Sequence, residues 1–210
     1  MNIHIINVGL GNVASIQNML KKVGYPSHLR TNPDSNKTPD LIILPGVGSY
    51  DTGMTLLEEC NWTNYLKEVA DQGLTRILGI CLGMQLLCDG SDEGSHPGLG
   101  LISGRFQKFK PDDSSLKVPH MGWNTVEFTE FGSSLFSISY QMPRFYFVHS
   151  YHYSGTNEDF VLGWCNYGHR FGAIIHNKTI TGVQFHPEKS HRFGMQFFNA
   201  YMNSICSNTG

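Results

Sequence analysis

The chain has 210 residues, 40% hydrophobic and 15% charged, enough to bury a core; with no linker in view, a single domain over residues 1–210 is expected. Fifteen basic against 17 acidic residues leave a net charge of −2 with no basic block, which excludes a phosphate-backbone reader, so no nucleic acid is expected as a ligand. No apolar run approaches the roughly 18 residues of a membrane helix, Met1–Gly9 lacks the marks of a signal peptide, and five cysteines without a Cys-x-x-Cys pair fit a reducing cytoplasm better than a disulfide or zinc framework.

Ile3 to Val8 is a short apolar run of the kind that forms a buried strand. Gly9 to Gly11 turn the chain, and Asn12 is placed to cap a helix whose apolar residues Val13, Ile16, Leu20 and Val23 keep helical spacing. Gly24 and Pro26 stop it. Ser27–Arg30 is a weak second strand, and Leu41–Leu44 a strongly apolar third that ends at Pro45-Gly46-Val47-Gly48. One helix is expected from about Met54 to Ala70, then a buried strand Ile77–Ile80 followed at once by a helical run Leu82–Cys88. Strands alternating with helices through short turns predict an α/β fold, doubly wound, with a mostly parallel sheet and helices on both faces.

The second half changes character. Leu99–Phe109, Trp123–Phe128, Arg144–Tyr153, Phe160–Tyr167, Phe171–His176 and Thr179–Phe185 are rich in aromatic and β-branched residues and predict added antiparallel strands. Asn177-Lys178 suits a hairpin turn, and His191–Ile205 a final helix with Phe193, Phe197, Tyr201 and Ile205 on one face. His149 and His152 lie three apart, on opposite faces of one continuous strand, and are not read as metal ligands.

Chemistry concentrates in three segments. Gly79-Ile80-Cys81-Leu82-Gly83 lies where a buried strand turns directly into a helix, the setting of a nucleophile elbow. The helix start beside Cys81 favours thiolate. In Val183-Gln184-Phe185-His186-Pro187-Glu188, the proline biases His186 toward extended geometry, and in an extended segment His186 and Glu188 face one side. A carboxylate there orients an imidazole base, which completes a Cys-His-Glu triad. The N–H of Leu82 and the Pro45-Gly46-Val47-Gly48 turn, whose glycines allow close approach at the carboxyl end of a neighbouring strand, are candidates for an oxyanion hole.

These segments resemble the class I glutamine amidotransferases, and nearly the whole chain is similar to the branch that forms the glutaminase subunit of imidazole glycerol phosphate synthase. The resemblance is carried by Pro45-Gly46-Val47-Gly48, GICLGMQL over 79–86, Gly98-Leu99-Gly100-Leu101, PHMGWN over 119–124, YFVHSY over 146–151 and GVQFHPEKS over 182–190. It implies a flavodoxin-like fold with Cys81 as nucleophile, His186 as base and Glu188 as orienter. It implies that Gln85, Glu93 and the backbone of Ser150 and Tyr151 hold glutamine, and that the Gly46–Val47 peptide rotates to complete the oxyanion hole. It implies as partner a (β/α)8-barrel cyclase that receives ammonia internally, with Trp123 and Lys189 near the docking face and no cofactor or metal. One departure stands in the first turn: Asn7-Val8-Gly9, where the family usually has Asp. A paralogue that supplies ammonia to an amidating enzyme of surface-sugar biosynthesis stays open on that residue. A stand-alone cysteine hydrolase of the same fold is the alternative of another class.

Overall fold

The computed structural model describes residues 1–34, 38–136, 142–155 and 157–207. The first half runs β1 (Ile3–Ile6), α1 (Val13–Lys22), β2 (His28–Arg30), β3 (Leu41–Gly46), α2 (Tyr50–Glu59), α3 (Trp62–Gln72), β4 (Arg76–Cys81) and α4 (Leu82–Leu87). Then come β5 (Gly90–Ser91), β6 (Arg105–Lys108), β7 (His120–Thr125), β8 (Glu127–Phe128), α5 (Glu130–Phe136), β9 (Arg144–His149) and β10 (Tyr151–Ser154). The chain closes with β11 (Val161–Tyr167), β12 (His169–Asn177), β13 (Ile180–Val183) and α6 (His191–Ser207).

The central sheet has the order β2-β1-β3-β4-β13-β12-β10-β6-β5. From β2 to β13 every neighbour is parallel, while β12, β10 and β6 continue the sheet antiparallel. The mixed α/β architecture with a mostly parallel core is therefore the one expected. The parallel strands have helices on both faces, so side chains alternate between two cores. Ile3, Ile5, Leu41, Ile43, Leu78 and Ile80 pack with α1 and α6, through Ile16, Leu20, Phe197 and Tyr201. Ile42, Leu44 and Ile77 point the other way, toward Met54, Leu57, Trp62 and Leu66 of α2 and α3. Each such side chain contributes about 1.5–3 kcal/mol through burial. Asn12 caps α1, its side chain accepting from the Ser15 N–H at 3.2 Å. The turn at Asn177-Lys178 closes the β12–β13 hairpin, with Lys178 at φ +55°.

Three expectations are corrected. The helix expected over Met54–Ala70 is two helices, broken at Cys60-Asn61, with Asn61 left-handed at φ +60°. Gly53, Met54 and Leu57 face the core from α2, but the next buried residues are Trp62, Leu66 and Val69. The step of five from Leu57 to Trp62 overruns the 3.6-residue stripe, so the break resets the phase. Trp62 is fully buried and its Nε1–H donates to the Thr31 carbonyl at 2.8 Å.

Leu99–Phe109 is strand only over Arg105–Lys108. Before it, the N–H groups of Leu99 and Leu101 donate to the Leu86 and Leu87 carbonyls at 2.9 Å each, so this apolar stretch caps the end of α4. The continuous strand expected over Arg144–Tyr153 breaks at Ser150. β9 pairs with β7 in a separate two-stranded sheet, and β10 joins the central sheet beside β6 and β12. Strand alternation does not carry across Ser150: the rings of His149 and His152 both lie against Phe109, at 5.2 and 4.7 Å. No helix among the described residues is long and apolar enough to cross a membrane.

Candidate active site

Parallel pairing brings three distant segments to one sheet edge. Gly46 lies opposite Cys81 in the β3–β4 register and Val183 opposite Ile80 in the β4–β13 register. The residues just beyond, Val47, Leu82 and Gln184 to His186, therefore emerge together at the carboxyl ends of the strands. This is where open parallel sheets place their ligands.

Cys81 joins β4 to α4 with φ +54° and ψ −109°, a conformation rare for a residue with a side chain. The turn is possible because the backbone on either side approaches closely. A Cβ at Gly83 would run into the Leu44 carbonyl, and one at Gly46 would stand 2.6 Å from the Leu82 Cβ. The Cys81 thiol, 5% exposed, sits 3.8 Å from the Val148 carbonyl and 3.8 Å from the Gln184 Nε2, which donates to it. Leu82 is the first helical residue, so its N–H lies outside the intrahelical pairing.

His186 is extended, as Pro187 requires, with φ −102° and ψ 95°. Glu188 departs from the expected extended geometry: it belongs to a 3-10 turn over Pro187–Lys189. The turn still delivers its Oε1 to His186 Nδ1 at 2.8 Å, with both side chains nearly buried. The His186 backbone N–H donates to the Tyr146 carbonyl at 2.9 Å, and Ser190 Oγ donates to the His186 carbonyl at 2.6 Å. Ser190 Oγ also accepts from the Tyr146 N–H at 3.0 Å, tying this turn to β9. Burial works against a charged imidazole at His186, but Cys81 and the Glu188 carboxylate outweigh it and raise His186 to about 10. Its Nε2 is buried with no hydrogen-bond partner among the described residues, so that nitrogen is available to a reacting group.

A cleft of about 270 Å³ opens over these groups, lined by Val47, Cys81, Leu82, Gln85 and Glu93. Val148, His149, Ser150 and Tyr151 also line it, together with His186, whose backbone N–H is bonded to β9. Gln85 is 4% exposed, and its Oε1 has no hydrogen-bond partner among the described residues. Glu93 Oε2 accepts from the Tyr50 N–H at 3.2 Å; burial raises its carboxyl, and Asp51 adds to this against that hydrogen bond. Tyr151 is also raised, by burial first and then by Glu93 and Asp92.

Eight residues singled out in the sequence thus meet around one cleft, with Glu188 directly behind His186. Gly46 supports the elbow from β3. Trp123 and Lys189 stay outside the cleft on a neighbouring face. Trp123, 39% exposed, stacks on His191 at 5.6 Å, and the Lys189 ammonium lies 5.9 Å from the Tyr146 ring. Sequence reasoning missed Gln184, Ser190, Val148 and the ring of His149. Gln184 and Ser190 flank His186 within GVQFHPEKS, but nothing local says that they touch Cys81 or β9. Among the described residues, no group of three or more His, Cys, Asp or Glu side chains is placed to hold a metal ion.

Comparison with known proteins agrees with this architecture. Residues 4–202 match the family model described as glutamine amidotransferase class-I. The chain is 42% identical to imidazole glycerol phosphate synthase subunit HisH 2 of Methanococcus maripaludis, over 95% of this chain and 98% of that protein. It is 40% identical to the Pseudomonas aeruginosa protein of the same name, over 96% and 98%. A solved structure described as a glutamine amidotransferase superposes with a TM-score of 0.76 at 14% identity, covering 98% of this chain and 100% of that one; this likeness speaks to the fold alone. With a family model spanning almost the full length and relatives well above the level at which families are shared, the chain belongs to the class-I glutamine amidotransferases, in the branch of the HisH subunits.

Proposed function

We propose that this chain, acting as one domain, is the glutaminase subunit of imidazole glycerol phosphate synthase in histidine biosynthesis. It releases ammonia from glutamine in the cytoplasm and passes it to a (β/α)8-barrel cyclase subunit. The observation that carries this reading is the series of groups from the Glu188 carboxylate through His186 to the cleft that holds Cys81.

The Cys81 thiolate attacks the side-chain amide carbon of glutamine, and the tetrahedral oxyanion accepts from the Leu82 N–H and the Gly46–Val47 peptide. The His186 imidazolium gives its proton to the leaving nitrogen, releasing ammonia and leaving a thioester on Cys81. His186, now neutral, takes a proton from water; the hydroxide displaces sulfur, and glutamate leaves. Glu188 holds the ring and supports its charged form throughout. Gln85, Glu93 and the Ser150–Tyr151 backbone hold the amino acid, with the unpartnered Gln85 Oε1 offering an acceptor. Trp123 and Lys189 belong to the face that meets the barrel.

The test is to purify the chain with the partner it brings down and to measure glutamate release with and without that partner. Strong activation by a barrel cyclase supports the reading. Full activity of the isolated chain would instead indicate a stand-alone hydrolase. A second reading, supply of ammonia to a surface-sugar amidating enzyme, is left open by Asn7 in the first turn. Recovery of such an amidating enzyme in place of the cyclase would select it.

A further inference from the structure

A line of hydrogen bonds runs from β7 to the cleft wall, and its polarity is determined at every link. The Tyr151 carbonyl can only accept, so His149 Nδ1, 2.7 Å away, carries a hydrogen. His149 Nε2 stands 2.9 Å from His120 Nδ1, and His120 Nε2 stands 3.2 Å from Asn124 Nδ2. The Asn124 amide is oriented by two further bonds: Nδ2 donates to the Asn166 carbonyl at 2.9 Å and Oδ1 accepts from the Thr125 N–H at 2.8 Å. Asn124 is therefore the donor to His120 Nε2, which makes His120 Nδ1 the donor to His149 Nε2. A second proton on either ring would set two donors against each other. Both rings are buried, and burial holds His120 down at about 4 and His149 at about 3. For His149, the Tyr151 carbonyl pulls upward and the rings of His120, His152 and His186 push down.

The far end of this line is Tyr151, at the point where the chain leaves the β7–β9 pair for the central sheet. Ladder pairing is interrupted at Ser150, and other bonds hold the segment in place of it. The Val148 carbonyl accepts from the Cys81 thiol at 3.8 Å, and the Ser150 carbonyl accepts from the Phe109 N–H at 2.9 Å. The Tyr151 carbonyl is the one His149 occupies.

We propose that His149, locked in its Nδ1–H tautomer by His120 and Asn124, is a positioning residue that fixes the Ser150–Tyr151 wall of the cleft for glutamine. This rests on the glutaminase reading above. The expected variants follow from which atom is lost. His149→Ala removes the bond to Tyr151 and raises KM for glutamine about tenfold or more, with kcat changed less than threefold. His149→Asn places an amide N–H where Nδ1 stood and recovers most of that loss. His120→Leu leaves the tautomer unguarded and gives an intermediate rise in KM.

The experiment measures glutamine turnover of each variant in complex with its synthase partner, together with 15N NMR of the histidine side chains near neutral pH. Both buried rings should show the Nδ1–H form, the minor one for free histidine in water. An Nε2–H signal from His149, an Asn variant no better than the Ala variant, or a loss confined to kcat would overturn the proposal. The NMR signature does not depend on turnover, so it tests the hydrogen-bonded line even if an inactive parent complex had already overturned the glutaminase reading.

Discussion

The two walls of the cleft are built on different principles. The wall that carries Cys81 is made by close approach of backbone: β3, β4 and the start of α4 meet with Gly46 and Gly83 at the contacts, and Cys81 sits at positive φ. The opposite wall, Val148–Tyr151 with His186 at its foot, is held by side-chain hydrogen bonds: His149 donates to the Tyr151 carbonyl, His186 pairs with the Glu188 carboxylate, and Ser190 donates to the His186 carbonyl. The first wall does not tolerate an added atom, and the second does not tolerate a lost donor. The nucleophile depends on strain held by packing, whereas substrate and base depend on hydrogen bonds with a set direction.

Substitution can break this contrast or sharpen it. The largest expected effect is on chemistry: Cys81→Ala should lower glutamine-dependent turnover on the order of 10^5-fold or more, while synthesis from added ammonium salt by the same complex persists. His186→Ala should match it, because both groups act in one step. Glutamate release by Cys81→Ala at the parent rate would move the nucleophile elsewhere. Glu188→Gln should be milder by about two orders of magnitude, since an orienter assists without reacting. Equal losses for all three would erase the difference between reacting and orienting groups.

Next in size is stability. Gly83→Ala drives a methyl into the Leu44 carbonyl, so β3 and α4 must part, and the fold should lose about 3 kcal/mol by chemical denaturation. An unchanged midpoint would show that the first wall is not held by close approach. The smallest effect is on pH. His186 is raised from 6.5 to about 10, so the stabilisation from its charged pair is present in full below 6.5 and is lost as pH rises through about 10. Turnover in the complex should hold through neutrality and fall on the alkaline side, and Glu188→Gln should move that fall to lower pH. A parent profile already falling near neutrality would contradict the support given to His186 by Cys81 and Glu188.

Much of the first wall was legible from the chain alone. Apolar runs with β-branched residues marked β1, β3 and β4, and glycines two before and two after Cys81 marked the elbow, because backbone strain and close approach leave a local trace in residue type. His186 and Glu188 were legible through Pro187, although a 3-10 turn and not an extended strand brings them together. Resemblance supplied Gln85, Glu93, Ser150 and Tyr151, for which no local pattern speaks. The break between α2 and α3 was recoverable from the step between Leu57 and Trp62, but only with knowledge of which residues face the core.

The sequence by itself determined the secondary-structure periods, the strained turn at Cys81 and the chemical kinds of the reacting groups. Tertiary structure alone decided that the strand around Ser150 divides between two sheets, that Ser190 and Tyr146 tie the His186 turn to β9, and that His120 meets His149. The physical reason lies in what each level encodes. Propensity, spacing and turn chemistry act over a few residues, whereas strand partner and register are chosen by burial and hydrogen-bond satisfaction among segments far apart in the chain.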